Sequence, residues 1–206
     1  MNRLCIKITG ESGAGLLSTG DIIMKGFQHL GFYVVADREY PSLIKGGHAC
    51  FAINVSTEPI AAISEKVDVM LAIDKQSLEA YYKDLKDAGI LIHGYERPLG
   101  VKEIVAELEA RNVQVVHQPV REIAEEMGGN VLMTNVVLAG MFWKVLGLPY
   151  EQIEKSVKEK FADKPKLLEI DLKCLKAGYE KVSELTKVKI PAKIKETILL
   201  DGGKAI

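Results

Sequence analysis

The sequence predicts an α/β domain of three layers, α/β/α, with a mostly parallel sheet, one antiparallel strand pair and a helical C-terminal third. Three observations carry that prediction. Short β-rich runs alternate with helically spaced apolar residues as far as His117. Val67–Ile73 is continuously apolar, as a strand covered on both faces must be. Beyond Asn130, apolar residues recur only at helical spacing.

The elements follow in chain order. Leu4–Thr9 is an apolar strand that runs into Gly10-Glu11-Ser12-Gly13-Ala14-Gly15. A helix follows to about Leu30, with Leu16, Gly20, Ile23, Phe27 and Leu30 on one stripe, and Gly31 stops it. Phe32–Ala36 and His48–Val55 are β-rich. The stretch between them is too short for a helical crossover, so they are expected to pair antiparallel. After Val67–Ile73, Asp74 is placed to cap a helix starting near Gln76. Gly89–His93 reads as a strand, Val101, Ile104, Val105 and Leu108 as a helix, and Val113–His117 as another strand. Asn130 is placed to cap a buried helix that Gly147 and Pro149 end. Ile153, Val157 and Phe161 form one further stripe; Leu168, Leu172, Leu175, Tyr179 and Val182 form a second. From Lys187 the pattern fails. Residues 1–186 are read as one domain, 187–197 as a proline-interrupted linker, and 198–206 as the start of a following domain.

Composition narrows the function classes. The 206 residues carry 28 acidic and 27 basic side chains, a balance with no electrostatic pull toward nucleic acid or an anionic membrane. Val131–Leu148 is apolar but interrupted by Thr134, Asn135 and Lys144, which predicts a buried helix rather than a membrane span. No secretory signal opens the sequence, and a soluble cytoplasmic protein is expected. Cys5, Cys50 and Cys174 lack the spacing of a metal or cluster ligand set and read as reduced thiols.

The loop Gly10 to Gly15 has two familiar relatives and matches neither. A phosphate-binding P-loop needs lysine and a hydroxyl residue after its last glycine; Leu16 and Leu17 stand there instead. A dinucleotide-binding turn wants glycine at its third position, where Ser12 stands, although Asp37 or Glu39 could serve as its acidic partner. The turn still offers free N–H groups to an anion. The plainer alternative is that its glycines serve a tight turn and close helix–sheet packing.

The second loop, Asp37-Arg38-Glu39-Tyr40-Pro41-Ser42-Leu43-Ile44-Lys45-Gly46-Gly47-His48, mixes charges, aromatic and aliphatic residues with two glycines. Arg38, Lys45 and His48 are candidates for an anionic group, beside a backbone that Gly46 and Gly47 let a partner approach. A surface loop with solvated charges, and Leu43 and Ile44 tucked inward, is the competing reading.

The first glycine loop, followed by Arg38-Glu39-Tyr40-Pro41-Ser42-Leu43-Ile44-Lys45-Gly46-Gly47-His48, resembles the gamma domain of 2-oxoacid:ferredoxin oxidoreductases. The form it is most similar to is the one fused at the N-terminus of the alpha subunit. Val67–Asp74, Asn135 after Gly128-Gly129, and the helical tail extend the likeness over about residues 3 to 185. Ala14 stands where the family often has glutamine, and Lys45 where it often has arginine, which keeps the charge but loses the bidentate fork. Leu199-Leu200-Asp201-Gly202-Gly203 looks like the opening of the thiamine-pyrimidine-binding domain that follows in the fused subunit.

The resemblance implies a non-catalytic domain or subunit supporting thiamine-dependent oxidative decarboxylation of a 2-oxoacid, pyruvate or 2-oxoglutarate, to its acyl-coenzyme A. Thiamine diphosphate, magnesium, iron–sulfur cluster and coenzyme A belong to the complete enzyme, with none expected on this chain alone. Partners are then the alpha and beta subunits, and ferredoxin indirectly; the isolated chain is open to homodimer formation. No catalytic residue and no metal ligand is assigned, and the four histidines are read as structural. The candidate contacts with coenzyme A or a partner are Gly10, Gly13, Gly15, Arg38, Lys45, Gly46, Gly47 and His48. The alternative is a stand-alone nucleotide-binding module for NAD or coenzyme A.

Overall fold

The computed structural model describes residues 3–11, 15–39, 48–95 and 102–183, with the backbone alone at positions 39 and 48. Six strands form one sheet: β1 (Arg3–Glu11), β2 (Tyr33–Glu39), β3 (His48–Ser56), β4 (Val67–Ala72), β5 (Leu85–His93) and β6 (Gln114–His117). Their order across the sheet is β2-β3-β1-β4-β5-β6. The expected antiparallel pair is β2–β3, and β3 runs against β1 as well, so β3 is the one reversed strand. The pairs β1–β4, β4–β5 and β5–β6 are parallel.

Helices cover the sheet on both sides. The larger layer holds α1 (Leu16–His29), α4 (Val120–Glu126), α5 (Thr134–Val145), α6 (Tyr150–Lys160) and α7 (Pro165–Glu180). The smaller holds α2 (Lys75–Tyr81) and α3 (Lys102–Ala110). Central strand β1 sends Leu4, Ile6 and Ile8 into the larger core and Cys5 into the smaller one. Lys7 also points to the α2 side, where it stays buried because Asp84 accepts from its ammonium at 2.6 Å.

Local chemistry explains the helix ends. After α1, Gly31 N–H bonds Gln28 O and Phe32 N–H bonds Phe27 O, the paired closure that a left-handed residue permits. Gly147 and Leu148 close α5 in the same way. Asp74 Oδ1 accepts from Ser77 N–H at 2.7 Å and so caps α2 as expected. Asn130 is a cap too, but of the short 3₁₀ turn Val131–Met133 that leads into α5.

The structure departs from the sequence reading in three further places. Strand β2 continues through Asp37 and Arg38, whose charges sit at an exposed edge, while Phe32 packs in the core before the strand begins. Strand β5 starts at Leu85 and not at Gly89, because its register against β4 jumps between Val67 and Val69. Ala88 takes a positive φ of 56° at that irregularity and donates its N–H to Arg111 O. Helix α4 had no counterpart among the expected elements.

Candidate functional site

The candidate site lies along the rim where the parallel strands end, the place at which open α/β sheets present their loops. Strand β1 reaches it at Gly10 and Glu11. Glu11 is the register partner of His48, the first residue of β3, so the chain leaves for one glycine loop and returns from the other at the same rung. Gly10 is packed by Ile73, whose β-carbon lies 3.2 Å from where a side chain at Gly10 would begin. Asp74 ties this rim together: its Oδ2 accepts from Glu11 N–H at 2.7 Å while its other oxygen caps α2. Beneath it, Ser77 Oγ donates to Thr9 Oγ1 at 3.2 Å in a fully buried pair.

Gly15 opens α1 at φ 78°, and a side chain there would collide with the Asn135 amide from the start of α5. The glycine is therefore required twice, by its backbone angle and by its neighbour. Thr19 returns both its N–H and its hydroxyl to Gly15 O. Behind this turn lies a cleft of about 220 Å³ between α1, the start of α5 and the α6–α7 junction, with Asp171 in its wall. Ser18 and Thr19 line it.

Arg38 lies two strands from β1, on the α1 side of β2. Its register runs through Phe51 to Ile8, two residues back from Gly10 along β1. The guanidinium sits 5.2 Å over the Phe51 ring and reaches Asp21 Oδ1 at 3.5 Å. Asp21 is held more tightly by Lys160, at 2.7 Å from its other oxygen. An exposed pair of that length contributes well under about 1 kcal/mol, so Arg38 can exchange Asp21 for another anion at small cost. Gly13, Lys45, Gly46 and Gly47 lie outside the described residues, and of His48 only the backbone is placed. Gly10, Gly15 and the His48 backbone thus share one rim, with Arg38 flanking it.

Two features of the structure were not singled out in the sequence. His93 and His117 end neighbouring strands as register partners, with ring centroids 4.6 Å apart, and Tyr95 stacks on His93 at 4.3 Å. Burial, then the neighbouring His117, lowers the His93 imidazole to about 4. Burial raises the Tyr95 phenol, with Asp74 and Glu79 adding to it. That both histidines close a parallel strand was the available signal. The second feature is Asp171, whose carboxyl burial raises to about 6. Its position on the apolar stripe side of α7 was the only hint.

The buried thiols are poor nucleophiles. Desolvation raises Cys174 to about 11 and raises Cys5 as well. Among the described residues no three His, Cys, Asp or Glu side chains converge on a metal-sized site. No described helix is long and apolar enough to cross a membrane.

The sequence profile of the pyruvate ferredoxin/flavodoxin oxidoreductase family matches residues 5–181. The chain belongs to that family. Among its members, the chain is 29% identical over 192 residues to the indolepyruvate oxidoreductase subunit IorB of Archaeoglobus fulgidus, covering 86% of this chain and 94% of that subunit. It is 26% identical over 222 residues to subunit alpha of 2-oxoacid:ferredoxin oxidoreductase 2 of Aeropyrum pernix, covering 89% of this chain but 34% of the relative. The family fold thus occurs both as a separate subunit and as about a third of a longer chain. The gamma subunit of a keto/oxoacid ferredoxin oxidoreductase from Geobacter sulfurreducens has the same fold, with a TM-score of 0.70 at 23% identity over 86% of this chain and 97% of that one.

Proposed function

We propose that this chain is the gamma component of a 2-oxoacid:ferredoxin oxidoreductase, and that its rim of glycine loops faces the active site formed by partner subunits. The observation that carries this reading is the family match over nearly the whole described chain, together with relatives of the same length that are themselves oxidoreductase subunits. The family membership favours this over a stand-alone NAD module. In this reading thiamine diphosphate, magnesium and iron–sulfur clusters reside on the partner chains in the cytoplasm. On the same reading the chain supplies a docking face, with Arg38 flanking it. Residues 187–197 connect it to a further segment beginning at 198.

Arg38 and Lys45 are the proposed contacts for an anionic group of coenzyme A, with Gly46 and Gly47 leaving room for its approach. Arg38 fits that role because its present partner holds it weakly. In the assembled enzyme, Arg38→Ala and Lys45→Ala should each raise the KM for coenzyme A roughly tenfold, as loss of a charge-assisted hydrogen bond does, and leave the KM for the 2-oxoacid unchanged. An unaltered KM for coenzyme A in both variants removes the coenzyme A role. Viologen reduction by the isolated chain with pyruvate and thiamine diphosphate would defeat the whole reading.

A further inference from the structure

We propose that the cleft behind Gly15 is a binding site for a monocation on an apolar stem, an alkylammonium or alkylguanidinium group, with Asp171 as its counter-ion. The site is independent of the coenzyme A contacts proposed for Arg38 and Lys45, and neither proposal requires the other.

Asp171 projects from α7 and is only 2% exposed, yet its Oδ2 has no hydrogen-bond partner. A buried carboxylate is ordinarily paired with a cation or saturated by donors, because leaving it bare costs several kilocalories per mole. Among the described residues of the cleft, none compensates it. Asp171 is the one ionisable side chain in the described wall, which otherwise consists of Gly15, small polar groups and apolar residues such as Ile22, Phe161 and Leu167. Of the two lysines adjacent in sequence to wall residues, Lys160 beside Phe161 is already committed to Asp21, and Lys166 beside Leu167 is exposed on the surface. The Asn130 oxygen is committed too, as the cap on Leu132 N–H.

Size and polarity define the ligand. At about 220 Å³ the cleft lies below the roughly 300–1,000 Å³ of sites for drug-sized molecules, and it suits one side chain or a small amine. Its described walls favour a hydrocarbon stem, and the one acid among them favours one positive charge. At the mouth Leu132 is 67% exposed, an apolar surface against which such a stem can lie. An anion is refused by the bare carboxylate, and a neutral stem leaves that carboxylate uncompensated. The cation's source is either a lysine or arginine of a partner subunit or a free alkylamine; the chemistry of the site is the same for both.

The test titrates n-butylammonium and, separately, n-butanol into the full chain, followed by amide chemical shifts of α1, α5 and α7. At pH 8, above the carboxyl's value of about 6, butylammonium should bind saturably and butanol should not. At pH 5 its apparent affinity should fall about tenfold, because the ionised, competent form becomes the minor one. Asp171→Asn should abolish the preference for the amine. Equal binding of butanol and butylammonium, absence of saturable shifts with the amine, or an amine preference that survives in Asp171→Asn would each overturn the proposal. The butanol comparison needs no variant to fold. Repeating the titration in the assembled enzyme separates the sources. Loss of amine binding there identifies a partner side chain as occupant, and persistence identifies a free amine.

Discussion

At Gly15 the backbone turns at φ 78° and the Asn135 amide occupies the space a β-carbon would need. Gly15→Ala therefore meets both a left-handed backbone penalty of about 1–2 kcal/mol and a steric clash. Urea unfolding should show a loss of about 2 kcal/mol or more, and a loss below about 0.5 would mean that the turn relaxes freely. The first glycine loop was legible at this scale because its residue types announce a turn. The partner that makes Gly15 obligatory was not, since Asn135 is 120 positions away in sequence and only the fold brings it near. Asp171 was hidden for the opposite reason. A lone acid on a helix normally reads as solvated, and only the packing of α7 against its neighbours buries it.

Helices α5 and α7 cross with their backbones in close approach. A side chain at Gly178 would strike Val137 O, and one at Gly140 would strike Leu175 O, so the two backbones approach closely at both points. Backbone cannot yield as a side-chain tip can, and Gly178→Ala should cost about 2–3 kcal/mol, at the upper end of overpacking penalties. Thermal melts of Gly178→Ala beside an alanine variant at exposed Lys176 would check this, with the second expected to be neutral. Element types were readable because each strand and long helix repeats its own apolar period. Strand β5 lost its first residues to Lys86 and Asp87, which carry ion pairs to Asp68 and Arg111 and so break the apolar run. Helix α4 was missed although Val120, Ile123 and Ala124 are buried at helical spacing, because two turns give too little periodicity.

Among the described residues, two buried groups, His93 and Asp171, have titrations that oppose each other in the acid range. His93 is lowered from 6.5 to about 4, so the folded state binds fewer protons, and stability is lost as pH falls through that window. Asp171 is raised from 3.8 to about 6, so its contribution is present below 3.8 and is lost as pH rises through 6. Each shift corresponds to about 3 kcal/mol at its limit. Between pH 4 and 6 the two slopes run in opposite directions and flatten the profile. Asp171→Asn should therefore steepen the acid-side loss relative to the parent, and His93→Gln should reverse it. Urea midpoints taken across that range decide the matter, and a variant profile parallel to the parent would show that the group in question does not titrate on folding. The three-layer architecture was legible in the alternation of periods, whereas this balance depends on which side chains the finished core encloses.

Reversing β3 lets the chain return from β2 without a crossover helix, and among the described residues the sheet's α2 face is left thinly covered at that edge. Tyr33 and Val35 face that side and are 52% and 36% exposed, while Val34 and Ala36 turn toward α1 and pack on its core. Evolutionary freedom along β2 should accordingly alternate residue by residue, with polar replacements accepted at 33 and 35 and refused at 34 and 36. A saturation library scored for folded protein would display that two-residue rhythm directly.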